Sequence, residues 1–155
     1  MSRSMPLRIR KMRPDDFGPL YQLLSDPRVM RYLEPPFSAE RTQRFLEEAG
    51  LCTPPLICSV ELQGRFIGYV IYHDYDKDSV EIGWVLAPDC WGKGYASELT
   101  KQLIRKADRD RKDVVIECVP QQAITRHIAQ KHGFAACGEA DGLDVFRLSR
   151  ISADR

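Results

Sequence analysis

Residues 89–99, DCWGKGYASEL, join a strand-like segment to an amphipathic helix through two closely spaced glycines. The preceding residues 56–88 are rich in β-branched and aromatic side chains, and apolar residues recur at intervals of three and four over 96–107. The start of such a helix leaves about four backbone N–H groups unpaired, and the aligned peptide dipoles add positive charge there. We therefore expect this junction to bind an anion such as a pyrophosphate.

Four residues of the junction have chemistry suited to that task. Gly92 and Gly94 allow the backbone to bend and a ligand to approach closely, since neither carries a Cβ atom. Lys93 adds a positive charge, and the Ser97 hydroxyl can supplement the backbone amides. A tight turn in which the glycines serve geometry alone is the alternative that an isolated G-x-G pattern leaves open.

Two known phosphate motifs can be compared with this junction. The P-loop pattern G-x-x-x-x-G-K-[ST] is absent from the sequence. Gly92, Gly94 and Ser97 give G-x-G-x-x-S, and Glu117 ends the next predicted strand, where a dinucleotide-binding domain places its ribose ligand. However, the preceding strand belongs to a predicted antiparallel meander, and too few residues follow Glu117 to complete a doubly wound sheet. The pattern disfavours a dinucleotide oxidoreductase.

The remaining periodicities predict an α+β domain with a mostly antiparallel sheet. The predicted strands cover 7–12, a three-stranded meander over 56–88 interrupted at Gln63-Gly64 and at 74–79, 113–119, and a hairpin over 134–149 with an Asp141-Gly142 turn. The predicted helices cover 14–25, 26–33, 38–50, the segment after the glycine turn, and 122–132. Ser38 is the predicted N-cap and Gly50 the predicted end of the third helix, and Gly133 ends the last one.

Composition excludes several classes of protein. The chain has 155 residues, 43% of them hydrophobic, which predicts one domain with a single core. Its formal charge of +1 does not supply the basic field that nucleic-acid binding uses. Five cysteines without a C-x-x-C pair favour neither a disulfide framework nor a metal site, and indicate reduced thiols in a cytoplasm. No apolar run approaches the roughly 18 residues of a membrane span, and no secretory signal is evident.

Two longer stretches resemble a known family. GWVLAPDCWGKGYASELTKQLI (83–104) with AITRHIAQKHGF (123–134) is similar to the acyl-CoA signature of the GNAT superfamily of N-acetyltransferases. Residues 7–42 resemble the N-terminal arm of its RimJ/RimL branch, which contains the ribosomal-protein N-terminal acetyltransferases. The resemblance implies a single GNAT-type α+β domain over 1–155. It also implies a mostly antiparallel mixed sheet of about seven strands, helices on both faces, and a splayed strand pair at the cofactor site.

The resemblance also implies the cosubstrate acetyl-CoA and the residues that hold it. The pyrophosphate would lie on the turn and helix start formed by Gly92, Lys93, Gly94, Tyr95, Ala96 and Ser97. Exposed backbone groups of a bulged strand, near Trp84, Val85 and Leu86, would bind the pantetheine arm and polarise the thioester carbonyl. Trp91 replaces the polar residue with which the family motif usually begins, and Gln122 matches the asparagine that usually touches the cofactor arm.

The catalytic residues are less well defined by the resemblance. The tyrosine that often serves as general acid falls at Ala129, and a hydroxyl used in the ribosomal branch is matched by Thr125, although an ordinary threonine explains that position equally well. Glu81 is the first candidate for a general base, and partial burial would raise its pKa; a solvated strand glutamate is the alternative. His73 and Tyr72 are weaker candidates, and no role is assigned to His127 or His132. Cys90 has no base beside it that would make it a nucleophile.

The sequence thus predicts a cytoplasmic, acetyl-CoA-dependent N-acetyltransferase in which an amine attacks the thioester directly in a ternary complex. A protein N-terminal amine is favoured over a small-molecule amine as acceptor, and a non-catalytic acyl-CoA-binding domain is the alternative from another class. Asp74, Asp76 and Asp78 could attract a cationic acceptor, but a polar turn is the simpler interpretation. No metal, nucleic acid or membrane partner is predicted, and exposed edge strands would allow a homodimer.

Overall fold

The computed structural model describes residues 6–150, which contain a seven-stranded mixed sheet and five α-helices. The strands are β1 (Leu7–Arg10), β2 (Ile57–Leu62), β3 (Arg65–Asp76), β4 (Ser79–Leu86), β5 (Asp113–Cys118), β6 (Ala135–Ala140) and β7 (Leu143–Leu148). The helices are α1 (Phe17–Leu24), α2 (Pro27–Met30), α3 (Ala39–Phe45), α4 (Tyr95–Arg109) and α5 (Ala123–Lys131). The order and type of these elements confirm the α+β prediction.

The strands hydrogen-bond in the order β1-β2-β3-β4-β5-β7-β6. The pairs β1–β2, β2–β3, β5–β7 and β6–β7 are antiparallel, and β4–β5 is parallel, so the predicted mostly antiparallel sheet of seven strands is confirmed. The β4–β5 ladder joins Ser79 to Asp113, Val80 to Val114 and Glu81 to Val115, whereas both strands run further along the chain. Glu81 therefore lies at the last paired residue of this ladder.

Internal contacts divide the chain into two compact units. The first unit consists of Met1–Ile71 and Trp84–Tyr95, and the second of Tyr72–Gly83 and Ala96–Arg155. The sequence prediction of a single domain over 1–155 stays a prediction. None of the helices within residues 6–150 is both long and apolar enough to cross a membrane.

The first unit has an apolar core between its helices and strands. Leu20 and Leu24 of α1 and Leu46 are fully buried, and Tyr69 of β3 and Val85 of β4 belong to the same cluster. The predicted N-cap of α3 is confirmed, because the Ser38 hydroxyl accepts a hydrogen bond from the Arg41 backbone N–H at 3.1 Å. The predicted stop at Gly50 also holds, although Leu46–Gly50 forms a π-helical turn.

A buried ion pair stabilises the start of the first unit. The Arg10 guanidinium binds the carboxylate of Asp16 at 2.8 Å and that of Glu61 at 2.5 Å, and Ser59 donates to Asp16 at 3.0 Å. Burial alone would raise the pKa of Asp16, but the hydrogen bonds from Arg10, the Arg13 backbone N–H and Ser59 hold it below its usual range. The strand predicted over 7–12 ends in the structure at Arg10, which is half-buried in this group of charges.

The backbones of β3 and β4 come unusually close at Gly68. This residue pairs with Val60 at a register shift of the β2–β3 ladder and has a φ of +153°. A Cβ atom at position 68 would lie 2.1 Å from the carbonyl oxygen of Val85 and 2.9 Å from the Cα of Leu86. Only glycine fits here, because the nearest atoms belong to the backbone of β4 and cannot rotate away.

The substitution Gly68→Ala is accordingly expected to lower the free energy of unfolding by about 3 kcal/mol, since it combines overpacking with backbone strain. Gly64→Ala is the matched control, because Gly64 has a φ of +79° and no atom within 4 Å of an added Cβ. The control substitution should lower the free energy of unfolding by about 1 kcal/mol, from backbone strain alone. Urea denaturation of both variants measures the difference, and equal losses would contradict the close approach at Gly68.

In the second unit, α4 provides the buried stripe that its sequence predicts. Leu99, Leu103 and Ala107 are 0 to 1% exposed. The turn between β3 and β4 is shorter than predicted, since the strand continues through Asp74 to Asp76 instead of ending before it. Asp76 accepts hydrogen bonds from the Asp78 backbone N–H and the Ser79 hydroxyl, both at 2.8 Å, which closes a tight polar turn. At the end of the chain, Asp141 and Gly142 have φ values of 53° and 80°, which confirms the predicted hairpin turn.

Candidate active site

The glycine turn has the conformation that an anion-binding helix start requires. Gly92 and Gly94 have φ values of +72° and +82°, and an added Cβ at either position would meet no atom within 4 Å. Gly92, Lys93 and Gly94 are exposed, and α4 begins immediately afterwards at Tyr95. The glycines are therefore required by backbone conformation, and the space beside them is open to a ligand. This arrangement fits a pyrophosphate group.

Trp91 connects the glycine turn to the end of β4. Its indole N–H donates a hydrogen bond to the carbonyl oxygen of Leu86 at 2.9 Å, although 49% of the side chain remains exposed. Sequence reasoning treated Trp91 only as a departure from the family motif, and no spacing signal points to this bond. The bond takes one of the two lone pairs of the Leu86 carbonyl oxygen, so the backbone of Leu86 can still contact the pantetheine arm as predicted.

The other residues predicted near this strand lie in the same unit. Trp84 is half-buried, Val85 and Leu86 are buried, and the chain after them is held by a bond from the Ala87 N–H to the Ile67 carbonyl at 2.8 Å. Cys90 is buried, and burial together with the Asp89 carboxylate raises the pKa of its thiol. A protonated thiol is a poor nucleophile, in agreement with the sequence analysis.

In the second unit, the first turn of α4 contacts a histidine to which sequence reasoning gave no role. The Ser97 hydroxyl oxygen lies 2.7 Å from Nε2 of His132, the C-cap residue directly after α5, and both side chains are half-buried. Ala96, the other predicted site residue in this turn, accepts a hydrogen bond from the Thr100 hydroxyl at its carbonyl oxygen. The motif HGF contains His132, but spacing alone does not predict its partner.

Glu81 of β4, the predicted general base, has a raised pKa. It is half-buried, and Nε2 of His73 on β3 lies 3.7 Å from its Oε1. Burial raises the pKa of Glu81, the charge of Glu117 raises it further, and His73 opposes both effects. A carboxylate with a raised pKa is suited to accept a proton near neutral pH.

Glu117 itself belongs to a pair that sequence reasoning missed. The hydroxyl of Tyr75 on β3 donates a hydrogen bond to Oε2 of Glu117 on β5 at 2.7 Å. This bond, with smaller effects of desolvation and of nearby carboxylates, raises the pKa of Tyr75 to about 12. The three neighbouring strands thus place His73, Tyr75, Glu81 and Glu117 around a common polar cluster, which we call the carboxylate cluster.

The two predicted residues near α5 differ in what they contact. Gln122 closes the turn after β5 with two hydrogen bonds to Val119. Its side-chain Oε1 accepts from the Val119 backbone N–H at 3.1 Å, and its backbone N–H donates to the Val119 carbonyl oxygen at 3.0 Å. This leaves the amide nitrogen of Gln122 for the contact expected from the family asparagine. Thr125 is half-buried in the first turn of α5. Its role as general acid stays a prediction.

Of the two weaker candidates, His73 lies beside Glu81, whereas Tyr72 is engaged elsewhere. The Tyr72 hydroxyl donates to Asp110 at 2.5 Å, and the Lys106 ammonium lies 4.8 Å from the centre of its ring. The acidic run around Asp76 forms the polar turn described above, which favours the structural interpretation over attraction of a cationic acceptor. Within residues 6–150, no group of three or more His, Cys, Asp or Glu side chains could hold a metal ion.

Comparisons with known proteins identify relatives of the chain. A family model described as an acetyltransferase (GNAT) domain matches residues 6–135. An uncharacterized N-acetyltransferase, YnaD of Bacillus subtilis, is 26% identical over 132 residues, which cover 82% of this chain and 78% of that protein. A GNAT-family acetyltransferase structure from Bacillus anthracis is 25% identical with a TM-score of 0.79, over 91% of this chain and 92% of the other. The structure of RimL, a ribosomal L7/L12 α-N-protein acetyltransferase in complex with coenzyme A, matches 95% of this chain and 96% of its own at 18% identity with a TM-score of 0.80.

Proposed function

We propose that this chain, which belongs to the GNAT acetyltransferase family, is an N-acetyltransferase that transfers the acetyl group of acetyl-CoA to the free α-amine of a protein or peptide. The observation that carries the proposal is the glycine turn at the start of α4. Its two glycines have positive φ values, and the space beside them is open. The family match spans this turn. The RimL structure, which contains coenzyme A, has the same fold.

Acetyl-CoA supplies an activated acyl group, held as a thioester that an amine can attack. The backbone amides of Gly92–Ser97, with Lys93 beside them, bind the pyrophosphate. The backbone of Trp84, Val85 and Leu86 binds the pantetheine arm and stabilises negative charge on the acyl oxygen. Gln122 contributes a further polar contact through its amide nitrogen.

The carboxylate cluster provides the base. Glu81 accepts the proton of the attacking amine, directly or through water, because its raised pKa makes it a stronger base than an ordinary carboxylate. The Thr125 hydroxyl passes a proton to the departing thiolate and regains one from water, so that the threonine is neutral again at the end of the step. The amine attacks the thioester directly, so that no acyl group is carried by the protein, in keeping with the raised pKa of the Cys90 thiol.

The preference for an α-amine follows from the strength of this base. An α-amine has a pKa of about 7.7–8.0 and is partly neutral at pH 7, whereas a lysine amine with a pKa near 10.4 is almost wholly charged. A carboxylate is a strong enough base for the α-amine. It is too weak a base for the lysine amine. A small-molecule amine of low pKa is the second candidate.

A location in the cytoplasm and a homodimer stay predictions.

Acceptor-dependent release of CoA tests the proposal. The enzyme is incubated with acetyl-CoA and one of three acceptors: a lysine-free peptide with a free N-terminus, the same peptide with an acetylated N-terminus and one lysine, or a small diamine. The first peptide is expected to release CoA with a kcat/KM at least about tenfold above the others. Mass spectrometry should locate one acetyl group on its α-amine.

The other outcomes separate the alternatives. A preference for the diamine would assign a small-molecule acceptor. Binding of acetyl-CoA by calorimetry without CoA release from any acceptor would favour a non-catalytic acyl-CoA-binding domain. A folded protein that binds no acetyl-CoA would contradict the proposed function itself.

A further inference from the structure

We propose that His132 is a positioning residue for the cosubstrate. The Nε2–H of His132 donates a hydrogen bond to the Ser97 hydroxyl and thereby directs the hydroxyl proton to the anion bound at the start of α4. This inference rests on the proposed function, because it takes the anion to be the pyrophosphate of acetyl-CoA. It assigns to His132 a role that neither the sequence pattern nor the family motif provides.

The geometry of the pair is that of a short hydrogen bond. The Ser97 oxygen and Nε2 of His132 are 2.7 Å apart, and both side chains are half-buried. Ser97 lies in the first turn of α4, where the backbone N–H groups are without helical partners. A hydroxyl at this point can donate to the same anion as the amides.

The backbone that carries the imidazole is fixed by the end of α5. Gly133 has a φ of +88° and donates its N–H to the Gln130 carbonyl at 3.1 Å, and the Phe134 N–H donates to the Ala129 carbonyl at 2.9 Å. These two bonds form a Schellman motif, with His132 at the C-cap. Phe134 is 5% exposed and Ala129 is fully buried, so the motif is anchored in the core of the second unit.

The direction of the hydrogen bond follows from the chemistry of the hydroxyl, which has one proton and two lone pairs. If Ser97 donated that proton to Nε2, its lone pairs would face the anion and repel it. If Nε2–H donates to the Ser97 oxygen, the hydroxyl proton is free for a phosphate oxygen. Anion binding therefore selects the forms of His132 with a proton on Nε2, which are one neutral tautomer and the imidazolium.

The charged groups that bear on His132 are Lys131 on α5 and Lys101 on α4. Burial and these two lysines lower the pKa of His132, which favours the neutral imidazole in the free protein. A bound pyrophosphate opposes all three effects. Binding is therefore expected to become tighter as the pH falls and the imidazolium is formed.

Calorimetric titration with CoA, over pH 6 to 8, tests the inference in the full-length protein. His132→Leu and Ser97→Ala are each expected to weaken binding about tenfold at pH 7, the loss of one hydrogen bond to a charged group. The double variant should bind no more weakly than Ser97→Ala, because His132 acts through Ser97. His127→Leu, on the exposed side of α5, is the matched control and should bind as the wild type does.

His132→Gln provides a second measurement, the pH dependence of the Kd for CoA, which would not change if His132 only supported the structure. The glutamine amide can donate to Ser97 but does not titrate, so this variant should bind within about threefold of the wild type at pH 8. As the pH falls to 6, its Kd relative to the wild type should rise by up to about tenfold, because only the wild type gains a positive charge beside the bound anion. The titrating phosphate of CoA affects both proteins equally.

Two results would overturn the inference while leaving the proposed function intact: unchanged binding by His132→Leu, or additive losses in the double variant. If His132→Leu does not fold, a pH dependence shared by the wild type and His132→Gln would overturn it instead. A folded wild type that binds no CoA would contradict both the inference and the proposed function.

Discussion

Replacing Gly94 with tryptophan is expected to weaken acetyl-CoA binding by at least about 100-fold, the loss of two charge-assisted hydrogen bonds of about 1.5 kcal/mol each. Gly94 stands directly before the first residue of α4, and a Cβ atom added at this position would have no neighbouring protein atom within 4 Å. An indole there would fill the space through which the pyrophosphate reaches the backbone amides. The fold should persist, since an added Cβ at this position meets no protein atom within 4 Å and the backbone strain is about 1 kcal/mol.

The matched control is Gly142→Trp. Gly142 has a φ of +80°, close to the +82° of Gly94, and an added Cβ there also meets no atom within 4 Å. Both variants therefore have the same backbone strain of about 1 kcal/mol, and only one lies at the predicted cofactor turn. Calorimetry with acetyl-CoA and thermal unfolding should be measured on both. Equal affinities for the two variants would show that the glycines of 92–94 serve the geometry of the turn alone.

The sequence predicts the elements of this fold well because the signals that define them are local. The apolar stripe of α4, the Ser38 cap and the Asp141-Gly142 turn each depend on residues within a few positions of one another. The end of β3 is an element boundary that the local sequence does not predict correctly. The polar run from Asp74 predicts a loop, but the side-chain hydrogen bonds of Asp76 allow the strand to continue to a two-residue turn.

The contacts that matter for function were harder to predict because they join distant parts of the sequence. Tyr75 and Glu117 are 42 positions apart, and Ser97 and His132 are 35 apart. Each pair depends on strand order and on the exact end of a helix, which hydrophobic periodicity does not determine. Family resemblance gave the glycine turn and Glu81, but a motif describes positions along the chain and not the side chains that surround them. The electrostatic setting of Glu81 had to come from the structure.

That setting makes Glu81→Gln the most informative change in the carboxylate cluster. We expect kcat to fall by about 100- to 10,000-fold with the best acceptor, the usual range for loss of a general base. The Kd for acetyl-CoA should not change, because Glu81 is not among the residues assigned to cosubstrate binding. Glutamine has nearly the same shape as glutamate, so the stability of β4 should be retained. Steady-state kinetics and calorimetry on the same preparation measure both quantities.

The pH dependence of kcat identifies the group that titrates. The raised pKa of Glu81 means that its carboxylate forms only above the ordinary range for glutamate, so kcat should rise with pH as Glu81 ionises. Glu117→Gln removes a like charge that raises this pKa, while the amide oxygen can still accept from Tyr75. The acidic limb should therefore move to lower pH in Glu117→Gln, and the limb set by the acceptor amine should stay in place. If Glu81→Gln retained wild-type kcat, or if the acidic limb did not move in Glu117→Gln, Glu81 would be a strand carboxylate without a part in proton transfer.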